Sequence, residues 1–355
     1  QDGNDIGDFY YTPPTGYLAL CTKNLPDVAV TPSEHFNTVL YSGTGSTQTI
    51  TGVGFQPDLT WTAERTETSA NHWFDAVRGY NKGFYTNLDN AESNQSNMAV
   101  ASDGITVGSS GGFNENSQNY AMWNWKANGS GSSNTNGSIT STVSANTDAG
   151  FSIISYHGNA TAGATIGHGL SKAPELVICK DREAANGWGV GAFNENNTKA
   201  LYLSSYGAFD TNNYWNSTNP SATLITLGVS GATNANNEMM AYAWHSVDGY
   251  SKVGSYTGNA NADGTFVYTG FRPMWVMVKR TTSNHDWDIY DTKRSTFNPM
   301  DDRLRANDSS VEADGGDIDF TSNGFKLRQT GNGNGSGDYI YLCFAETPFK
   351  NSNAR

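Results

Sequence analysis

The chain has 355 residues, of which 15% are charged and 12% aromatic, and its net charge is −13. This acidic balance disfavours nucleic-acid binding, which usually leaves a basic footprint, and simple electrostatic adhesion to anionic lipid. The aromatic content excludes a disordered chain, because it supplies apolar surface that offsets the entropy cost of ordering. No apolar run approaches the ~18 residues of a membrane span, so we expect no membrane insertion.

The first 35 residues differ in pattern from the rest. Tyr10 and Tyr11 precede Pro13 and Pro14, a combination that favours an extended connector. The chain begins without methionine and without a signal-peptide pattern, so we expect a processed chain or a fragment. Residues 1–35 are therefore predicted to be a linker or an extension of a preceding domain.

One stretch then occurs three times: a glycine turn, a large apolar residue, a proline and an apolar run. The copies are Gly52–Trp61, Gly167–Cys179 and Tyr268–Val278. Each follows a Tyr-x-Gly triplet, namely Tyr41–Gly43, Tyr156–Gly158 and Tyr256–Gly258. Each precedes an aromatic strand that ends 68, 70 or 71 residues after the proline. Landmarks in one order at nearly constant spacing predict a triplicated module.

The repeats divide the chain into three modules. Module 1 is 36–127, module 2 is 150–246, module 3 is 247–349, and 350–355 form a short tail. The Gly/Ser/Asn-rich stretch 128–149 is predicted to be a spacer, although the alternation in 138–143 also permits an edge strand.

Short runs with period-two alternation, separated by turn clusters, predict strands rather than helices. In module 1 they fall at 37–42, 48–52, 58–64, 72–77, 84–88, 98–107 and 120–126. The fold class predicted is all-β, with three tandem, homologous β-sandwich modules of the jelly-roll or concanavalin-like kind. The alternative is that the three repeats share one pseudo-threefold β assembly.

Tryptophans recur in the three copies, at Trp73, Trp188 and Trp287. Aromatic faces stack on sugars, but a tryptophan in a strand usually packs inward, so we interpret these three as core residues. Aromatic residues in loops that have no counterpart in the other copies are the better ligand-binding candidates. They are Tyr80, Tyr206, Tyr214 and Trp215.

Histidines flank the first predicted hairpin of module 2 only. His157 and His168 each precede a glycine, and a hairpin between them would place the two side chains across from one another. Two imidazoles can begin a metal site, but zinc needs a third or fourth ligand that the spacing does not supply. We therefore predict no metal and no cofactor, and treat this pair as a weak candidate only.

Two carboxylates follow the recurring tryptophans. Asp75 and Asp291 occupy comparable positions, but counted from the proline the match in module 2 is Ala192. A glycosidase needs two carboxylates about 5–9 Å apart in a cleft, and no such pair stands out. Nucleophile elbows, phosphate-binding loops and Cys/His clusters are also lacking in the sequence. A non-enzymatic protein is predicted.

Several segments together resemble a known family. They are 13–26, 38–43, 121–126, 250–258 and 270–273. The combination resembles a repeated C-terminal region in structural, tail-fibre-like virion proteins of marine tailed bacteriophages. In those proteins the region often follows a concanavalin-like or SPRY-type β-sandwich.

The resemblance implies a virion surface component that is extracellular. We expect a receptor-binding, tail-fibre type of protein that contacts other virion proteins and a host-surface glycan or receptor. A homo-oligomer is expected, with a trimer as one option, unless the three modules supply threefold symmetry alone. The alternatives are a purely structural role, in capsid decoration or a filament, and a polysaccharide-degrading tailspike.

Overall fold

The computed structural model describes residues 1–19, 21–24, 30–95, 98–109, 111–211 and 213–348. The protein is all-β, as predicted, and strands form several antiparallel sheets. Among these residues the helical elements are two 3-10 turns, Thr22–Asn24 and Pro32–Glu34, and the short helix α1, Gly231–Asn234. The tail predicted at 350–355, and the last residue of module 3, lie outside the described residues.

The strands of module 1 are β1 (Phe36–Ser42), β2 (Gln48–Thr51), β3 (Leu59–Glu64), β4 (His72–Asp75), β5 (Lys82–Tyr85), β6 (Ser93–Asn94), β7 (Ala99–Ala101), β8 (Gly104–Val107) and β9 (Asn119–Trp125). Next come β10 (Ser132–Asn134) and β11 (Ser141–Asn146), and then, in module 2, β12 (Phe151–His157), β13 (Thr165–Gly167), β14 (Leu176–Asp181), β15 (Gly189–Ala192), β16 (Leu201–Tyr202), β17 (Leu224–Thr226) and β18 (Glu238–Trp244). Module 3 has β19 (Ser251–Gly258), β20 (Phe266–Tyr268), β21 (Phe271–Arg280), β22 (Trp287–Asp291), β23 (Met300–Arg305), β24 (Ala313–Thr321), β25 (Gly324–Leu327) and β26 (Gly337–Pro348).

The strands pair in the same order in the three modules. The first strand pairs with the last, the last with the strand that follows the turn, and that strand with the next one along the chain. The three orders are β1-β9-β3-β4, β12-β18-β14-β15 and β19-β26-β21-β22. The remaining early strand of each module pairs with a late strand, as β2-β8, β13-β17 and β20-β25.

The Tyr-x-Gly triplets connect the first hairpin to the segment that precedes the last strand. The hydroxyls of Tyr41, Tyr156 and Tyr256 donate hydrogen bonds to the carbonyls of Phe113, Thr233 and Gly333, at 2.6, 2.5 and 2.6 Å. A Cβ at Gly43, Gly158 or Gly258 would collide with the backbone of that same segment. Glycine is required there because the two segments of the backbone approach so closely.

A buried asparagine follows each of these carbonyls. Asn114, Asn234 and Asn334 are fully buried. Their side-chain oxygens accept from the backbone N–H groups of Thr44, Asn159 and Asn259. Their amide groups donate to carbonyls of the same hairpins. Each hairpin is therefore held by one asparagine whose side-chain oxygen and amide group are both hydrogen-bonded.

The large sheets bury both faces. All six residues of β3 are buried, as are all six of β14. One face packs on a local core within the module. The other face contributes to a common core that combines residues of the three modules, among them Trp125, Trp244 and Trp275. Eight of the nine tryptophans lie in this common core.

Rings from different modules touch in the common core. Trp125 lies 6.4 Å from Trp244 and 5.9 Å from Trp275, and Trp73 lies 5.6 Å from Trp188, between ring centroids. Tilted and edge-to-face pairs at such distances add to the stability that burial of the rings provides. The modules therefore share one hydrophobic core in addition to their three local cores.

The stretch 128–149 is not a flexible spacer along its length. β10 and β11 lie within it, and β11 pairs with β12 over Ser141–Asn146. β11 overlaps the strand predicted at 138–143 in three residues, and β10 rather than β11 lies at the edge of the sheet. The run predicted as one strand at 98–107 is the hairpin of β7 and β8. Asp103 sits in its turn and accepts hydrogen bonds from the backbone of Gly52 and Gly54. No helix among the described residues is long and apolar enough to cross a membrane.

Candidate functional site

Strand register places Asp75 and Asp291, the two carboxylates noted in the sequence, at matching positions of their sheets. Asp75 pairs with Leu59, Asp291 with Trp275, and Ala192 with Leu176. Leu59, Trp275 and Leu176 in turn pair with the final aromatic residue of their modules. Asp75, Ala192 and Asp291 are therefore equivalent positions, as their distance from the proline indicated.

Register also corrects the alignment of the recurring tryptophans. Trp188 and Trp287 lie two residues before Val190 and Ile289, the positions that match Trp73. The residue of module 1 that matches Trp188 and Trp287 is Asn71. A shift of two residues keeps a side chain on the same face of a strand, so Trp73 still faces the common core. Trp73, Trp188 and Trp287 are at most 1% exposed, which confirms that they are core residues.

Asp75 ties module 1 to module 2. Its carboxylate lies 2.6 Å from Arg78 Nε, and both side chains are fully buried. The same carboxylate accepts a 2.7 Å hydrogen bond from the hydroxyl of Tyr242, a residue of module 2. A buried carboxylate needs such partners because an unpaired charge in the interior is strongly destabilising. The acid is a structural group rather than a free catalytic one.

Asp291 ties module 3 to module 1 in the same way. It lies 2.6 Å from Arg294 Nε, again with both side chains fully buried. It accepts a 3.0 Å hydrogen bond from Trp123 Nε1, and Trp123 occupies the position in module 1 that Tyr242 occupies in module 2. The Asp-x-x-Arg spacing, at 75–78 and 291–294, is visible in the sequence and could have signalled this pair.

The contact of module 3 with module 2 lacks both partners. Ala192 stands where the other modules have an aspartate, and Glu195 stands where they have an arginine. The position equivalent to Trp123 and Tyr242 is Leu342, which has no polar side-chain atom to donate. We call the three contacts the 1–2, 1–3 and 2–3 joints, after the modules that meet.

A backbone hydrogen bond recurs at each of the three joints. The amides of Glu92, Phe209 and Glu312 donate to the carbonyls of Arg182, Thr281 and Arg65, at 2.9, 3.2 and 3.0 Å. Side chains of Trp188, Trp287 and Asn71 donate to the carbonyls of Tyr85, Tyr202 and Arg305, at 3.0, 2.9 and 2.8 Å. The side chains donate in one cyclic direction, from module 2 to 1, from 1 to 3 and from 3 to 2, and the backbone amides donate in the reverse direction.

Ion pairs accompany two of these joints. Glu92 lies 2.8 Å from Arg182 across the 1–2 joint, and Glu312 lies 2.6 Å from Arg65 across the 1–3 joint. Burial raises the pKa of Glu92, but the hydrogen bond and charge of Arg182, with Arg78 and Lys82, outweigh it and hold that pKa below its ordinary value. The 2–3 joint has Phe209 and Thr281 at the same positions, and Phe209 packs on the common core.

Buried lysines take part in the 1–2 and 2–3 joints. Lys180 Nζ donates to the carbonyl of Asp89 in module 1, at 3.1 Å, and Lys279 Nζ donates to that of Tyr206 in module 2, at 2.8 Å. Both side chains are fully buried. Burial lowers the pKa of each ammonium group to about 8. Ala63 holds the matching position in module 1.

The two histidines have different surroundings. His157 is exposed and its Nδ1 lies 3.0 Å from Glu238, its neighbour across β12 and β18. His168 is buried; its Nδ1 accepts from the backbone of Leu170, its Nε2 lies 3.2 Å from the carbonyl of Ser221, and burial lowers its pKa. Both ring nitrogens of His168 are thus occupied. No group of three or more His, Cys, Asp or Glu able to hold a metal occurs in the described part of the chain.

The four loop aromatics differ in exposure. Tyr206 is 57% exposed, whereas Tyr80 is 6% exposed and Tyr214 and Trp215 are 1% exposed. Tyr80 donates to the carbonyl of Pro57, and the Tyr214 hydroxyl lies 2.6 Å from that of Tyr202. The rings of Tyr80, Tyr214 and Trp215 belong to local cores and expose little surface, although Tyr80 lines one cleft and Tyr214 and Trp215 line another. Tyr206 retains an exposed ring.

Clefts lie beside the loops that follow the equivalent strands β4, β15 and β22. Their linings include 79–81 in module 1, 195–198 in module 2 and 292–293 in module 3. A further cleft in module 2, of about 300 Å³, is lined by Asn197, Thr198, Thr211, Asn213, Tyr214, Trp215, Asn216 and Ser217. Asn197 and Thr198 line both clefts of module 2, so these two clefts are adjacent.

The fold and the site define an all-β protein whose buried charged groups join parts of one chain. The model of the family described as Domain of unknown function (DUF7483) matches residues 31–348, so the chain belongs to that family. The match extends across the three modules together. No curated protein and no solved structure matches the chain.

Proposed function

We propose that the chain is a non-enzymatic surface protein of a bacteriophage virion, which attaches to a host-surface glycan or receptor. In this proposal three homologous β modules form one pseudo-threefold unit, and the outer loops contact the host. The cyclic set of joints carries the proposal. Three backbone hydrogen bonds and three side-chain hydrogen bonds recur at matching positions between modules.

Homology of the modules explains this recurrence with a single cause. Matching positions meet matching positions at each joint, although the side chains differ. A gene duplicated twice from a module that formed a threefold assembly would produce this pattern, because the joint geometry would be inherited. The common core of eight tryptophans supports one unit rather than three independent modules.

The placement of the acids supports a binding role. Asp75 and Asp291, the carboxylates that the sequence offered for catalysis, are 0% exposed and paired with arginine. Buried, paired carboxylates stabilise the joints and are out of reach of a substrate. Clefts beside equivalent loops offer several contact points on one rigid body, and weak contacts made together give firm attachment.

We further propose that the protein is displayed on the particle, outside the host cell, and is held there by other virion proteins. Three modules satisfy the joints within one chain, so the pseudo-threefold unit needs no second copy. Any homo-oligomer, a trimer included, would use surfaces outside the joints.

A purely structural role is the second candidate, and one surface favours it. The N-terminal segment, residues 1–19 and 21–24, has four exposed aromatic residues. The exposed fraction is 43% for Phe9, 92% for Tyr10, 80% for Tyr11 and 70% for Tyr17. Asp2 connects the two ends of this segment, because its carboxylate accepts hydrogen bonds from the amide of Ala19 and the side chain of Asn24. An ordered loop that presents aromatic rings is a suitable contact for another virion protein.

Adsorption competition tests the proposal. Host cells are incubated with the purified chain before phage is added, and free phage is counted over time. Attachment by this chain predicts slower adsorption as its concentration rises, together with labelled chain on the cell surface. Unchanged adsorption and no surface label would contradict the adhesion function. Antibody labelling of intact particles then separates a tail-tip position from a capsid or filament position, and oligosaccharide release from host envelope would instead indicate a tailspike.

A further inference from the structure

We infer that the 300 Å³ cleft of module 2 binds a neutral oligosaccharide and that the indole N–H of Trp215 is one of its donors. This inference rests on the proposed adhesion function and names the ligand class. The described lining of this cleft consists of amides, hydroxyls and two aromatic rings. Two of the other clefts have charged residues in their linings, and the cleft of module 1 has the apolar residues Met98 and Val100.

The lining matches the chemistry of a sugar. Asn197, Asn213 and Asn216 supply both donors and acceptors, and Thr198 and Ser217 supply hydroxyls that can act as either. A hydroxyl-rich, uncharged ligand presents the same mixture. An anionic ligand would call for lysine or arginine in the lining, and the described lining contains neither.

Trp215 supplies the observation that points to a ligand. Its side chain is 1% exposed, yet its Nε1 has no hydrogen-bond partner among the described residues. An unsatisfied buried N–H costs about 1–3 kcal/mol, so its presence calls for an explanation. Five tryptophans of the common core share this feature, namely Trp61, Trp73, Trp125, Trp244 and Trp275. Trp215 is the one of these six that lines one of the four clefts. A ligand hydroxyl in the cleft would give Trp215 its missing acceptor.

The backbone holds the lining in place before any ligand binds. Asn216 and Ser217 both have φ near +50°, a conformation that non-glycine residues seldom adopt. Asn213 Oδ1 accepts from the amide of Asn216 at 2.9 Å, and Gly228 lies so close to Asn213 that a Cβ there would collide with its backbone. Strain of this kind persists where the surrounding structure imposes it, and such positions cluster at binding sites.

Nuclear magnetic resonance of the indole N–H groups tests the inference. The ¹⁵N-labelled chain is titrated with maltohexaose, laminarihexaose and N-acetylchitohexaose, and with a hyaluronan hexasaccharide as the anionic comparison. The Trp215 cross-peak is assigned from its absence in W215F. We expect at least one neutral hexasaccharide to shift this cross-peak saturably, while the cross-peaks of the common-core tryptophans stay in place.

The double variant N216G/S217G tests the lining without adding strain, since glycine accepts φ near +50° at both positions. Loss of an amide and a hydroxyl should weaken oligosaccharide binding roughly tenfold, as one or two hydrogen bonds lost would do. The matched control is S117G, at an exposed residue of module 1 with φ +66°. It relieves the same backbone strain and should bind the oligosaccharide as tightly as the parent chain does.

Three results would overturn the inference: no neutral hexasaccharide shifts the Trp215 cross-peak, N216G/S217G binds as tightly as S117G, or only the hyaluronan hexasaccharide binds. If adsorption competition succeeds while the Trp215 cross-peak stays in place, the adhesion function stands and the ligand lies elsewhere on the chain.

Discussion

The 1–2 and 1–3 joints contrast with the 2–3 joint. The first two contain a chain of charged groups that runs from Arg182 or Arg65, through a glutamate and a buried arginine, to a buried aspartate. The third has Thr281, Phe209 and Ala192 at the corresponding positions. Yet the backbone hydrogen bond is present at all three, at 2.9, 3.0 and 3.2 Å.

The contrast separates two contributions to docking. Backbone groups and the common core set how the modules meet, since they are shared by every joint. Side chains then complete each joint by different chemistry. Apolar replacement of a buried ion pair is often neutral or stabilising, whereas removal of one partner is not. At the 2–3 joint the acid and the donor are replaced by the buried apolar residues Ala192 and Leu342, and Glu195 at the arginine position is exposed.

Breaking the buried pair at the 1–3 joint should have the largest effect. D291A removes the 2.6 Å partner of the buried Arg294, which then keeps only Glu312 as an ionic partner, and removes the acceptor of Trp123 Nε1. We expect a loss of about 3–5 kcal/mol in the free energy of unfolding, measured by urea denaturation. The double variant D291A/R294M removes both charges and should recover part of that loss, as the 2–3 joint implies. A loss below about 1 kcal/mol for D291A would contradict a structural role for the pair.

Truncation of Asn71 should rank second. Its amide donates to the carbonyls of Arg305 and Asp308 across the 1–3 joint, at 2.8 and 3.0 Å, and N71A leaves these acceptors without that donor. The expected loss is about 1–3 kcal/mol, measured in the same urea series. N81A, at an exposed asparagine of the same module, should change stability by less than about 0.5 kcal/mol. Equal losses of stability in N71A and N81A would contradict the role assigned to Asn71 at the 1–3 joint.

Loss of the outer ion pair should have a smaller effect. R182M removes the partner of Glu92 at the 1–2 joint, where both side chains are partly exposed. We expect a cost of about 1 kcal/mol that decreases in concentrated salt, because salt screens such pairs. T281M, the matched change at the 2–3 joint, should show no such salt dependence. A salt-independent cost for R182M would mean that packing, rather than charge, accounts for it.

Acidification should destabilise the 1–2 joint more than the 2–3 joint. The folded-state pKa of Glu92 lies below the ordinary value of 4.5, so its contribution to stability is complete above that pH and is lost as the pH falls through the folded pKa. Hydrogen-exchange protection of the Glu92 amide should therefore fall on acidification relative to that of the Phe209 amide. E92Q should abolish the difference, and equal pH profiles in the parent chain would contradict the assignment.

Much of the fold could be predicted from the sequence, since period-two alternation and turn clusters locate strands directly. The strands expected in module 1 at 37–42, 48–52 and 58–64 match β1, β2 and β3 within a residue or so. The run 98–107 was predicted as one strand but forms a hairpin. Its turn was not recognised because the whole run has strand character and the reversal at Asp103–Gly104 is short.

The joints could not be predicted, because most of their acceptors are backbone carbonyls, such as those of Tyr85, Tyr202 and Arg305, which leave no trace in residue identity. The buried asparagines Asn114, Asn234 and Asn334 do recur at similar distances from the last strand. Their signal is hidden, however, in a chain that is rich in asparagine throughout.

The site residues were predicted less well, for a physical reason. Aromatic residues in loops suggest exposure, yet Tyr80 and Tyr214 fold inward and hydrogen-bond within the protein. Asp75 and Asp291 were recognised as a repeated pair of acids, but their arginine partners three residues later were overlooked. Local spacing was sufficient to find those pairs, whereas the polar cleft around Trp215 is assembled from two loops and required the fold.

Calorimetry tests most directly the claim that the three modules form one unit. A common core and a cyclic set of joints predict that the whole chain unfolds in one transition, with a calorimetric enthalpy equal to the van't Hoff enthalpy. D291A should lower the temperature of that single transition without splitting it. Two or three separable transitions in the parent chain, each with the enthalpy of about 100 residues, would contradict the claim.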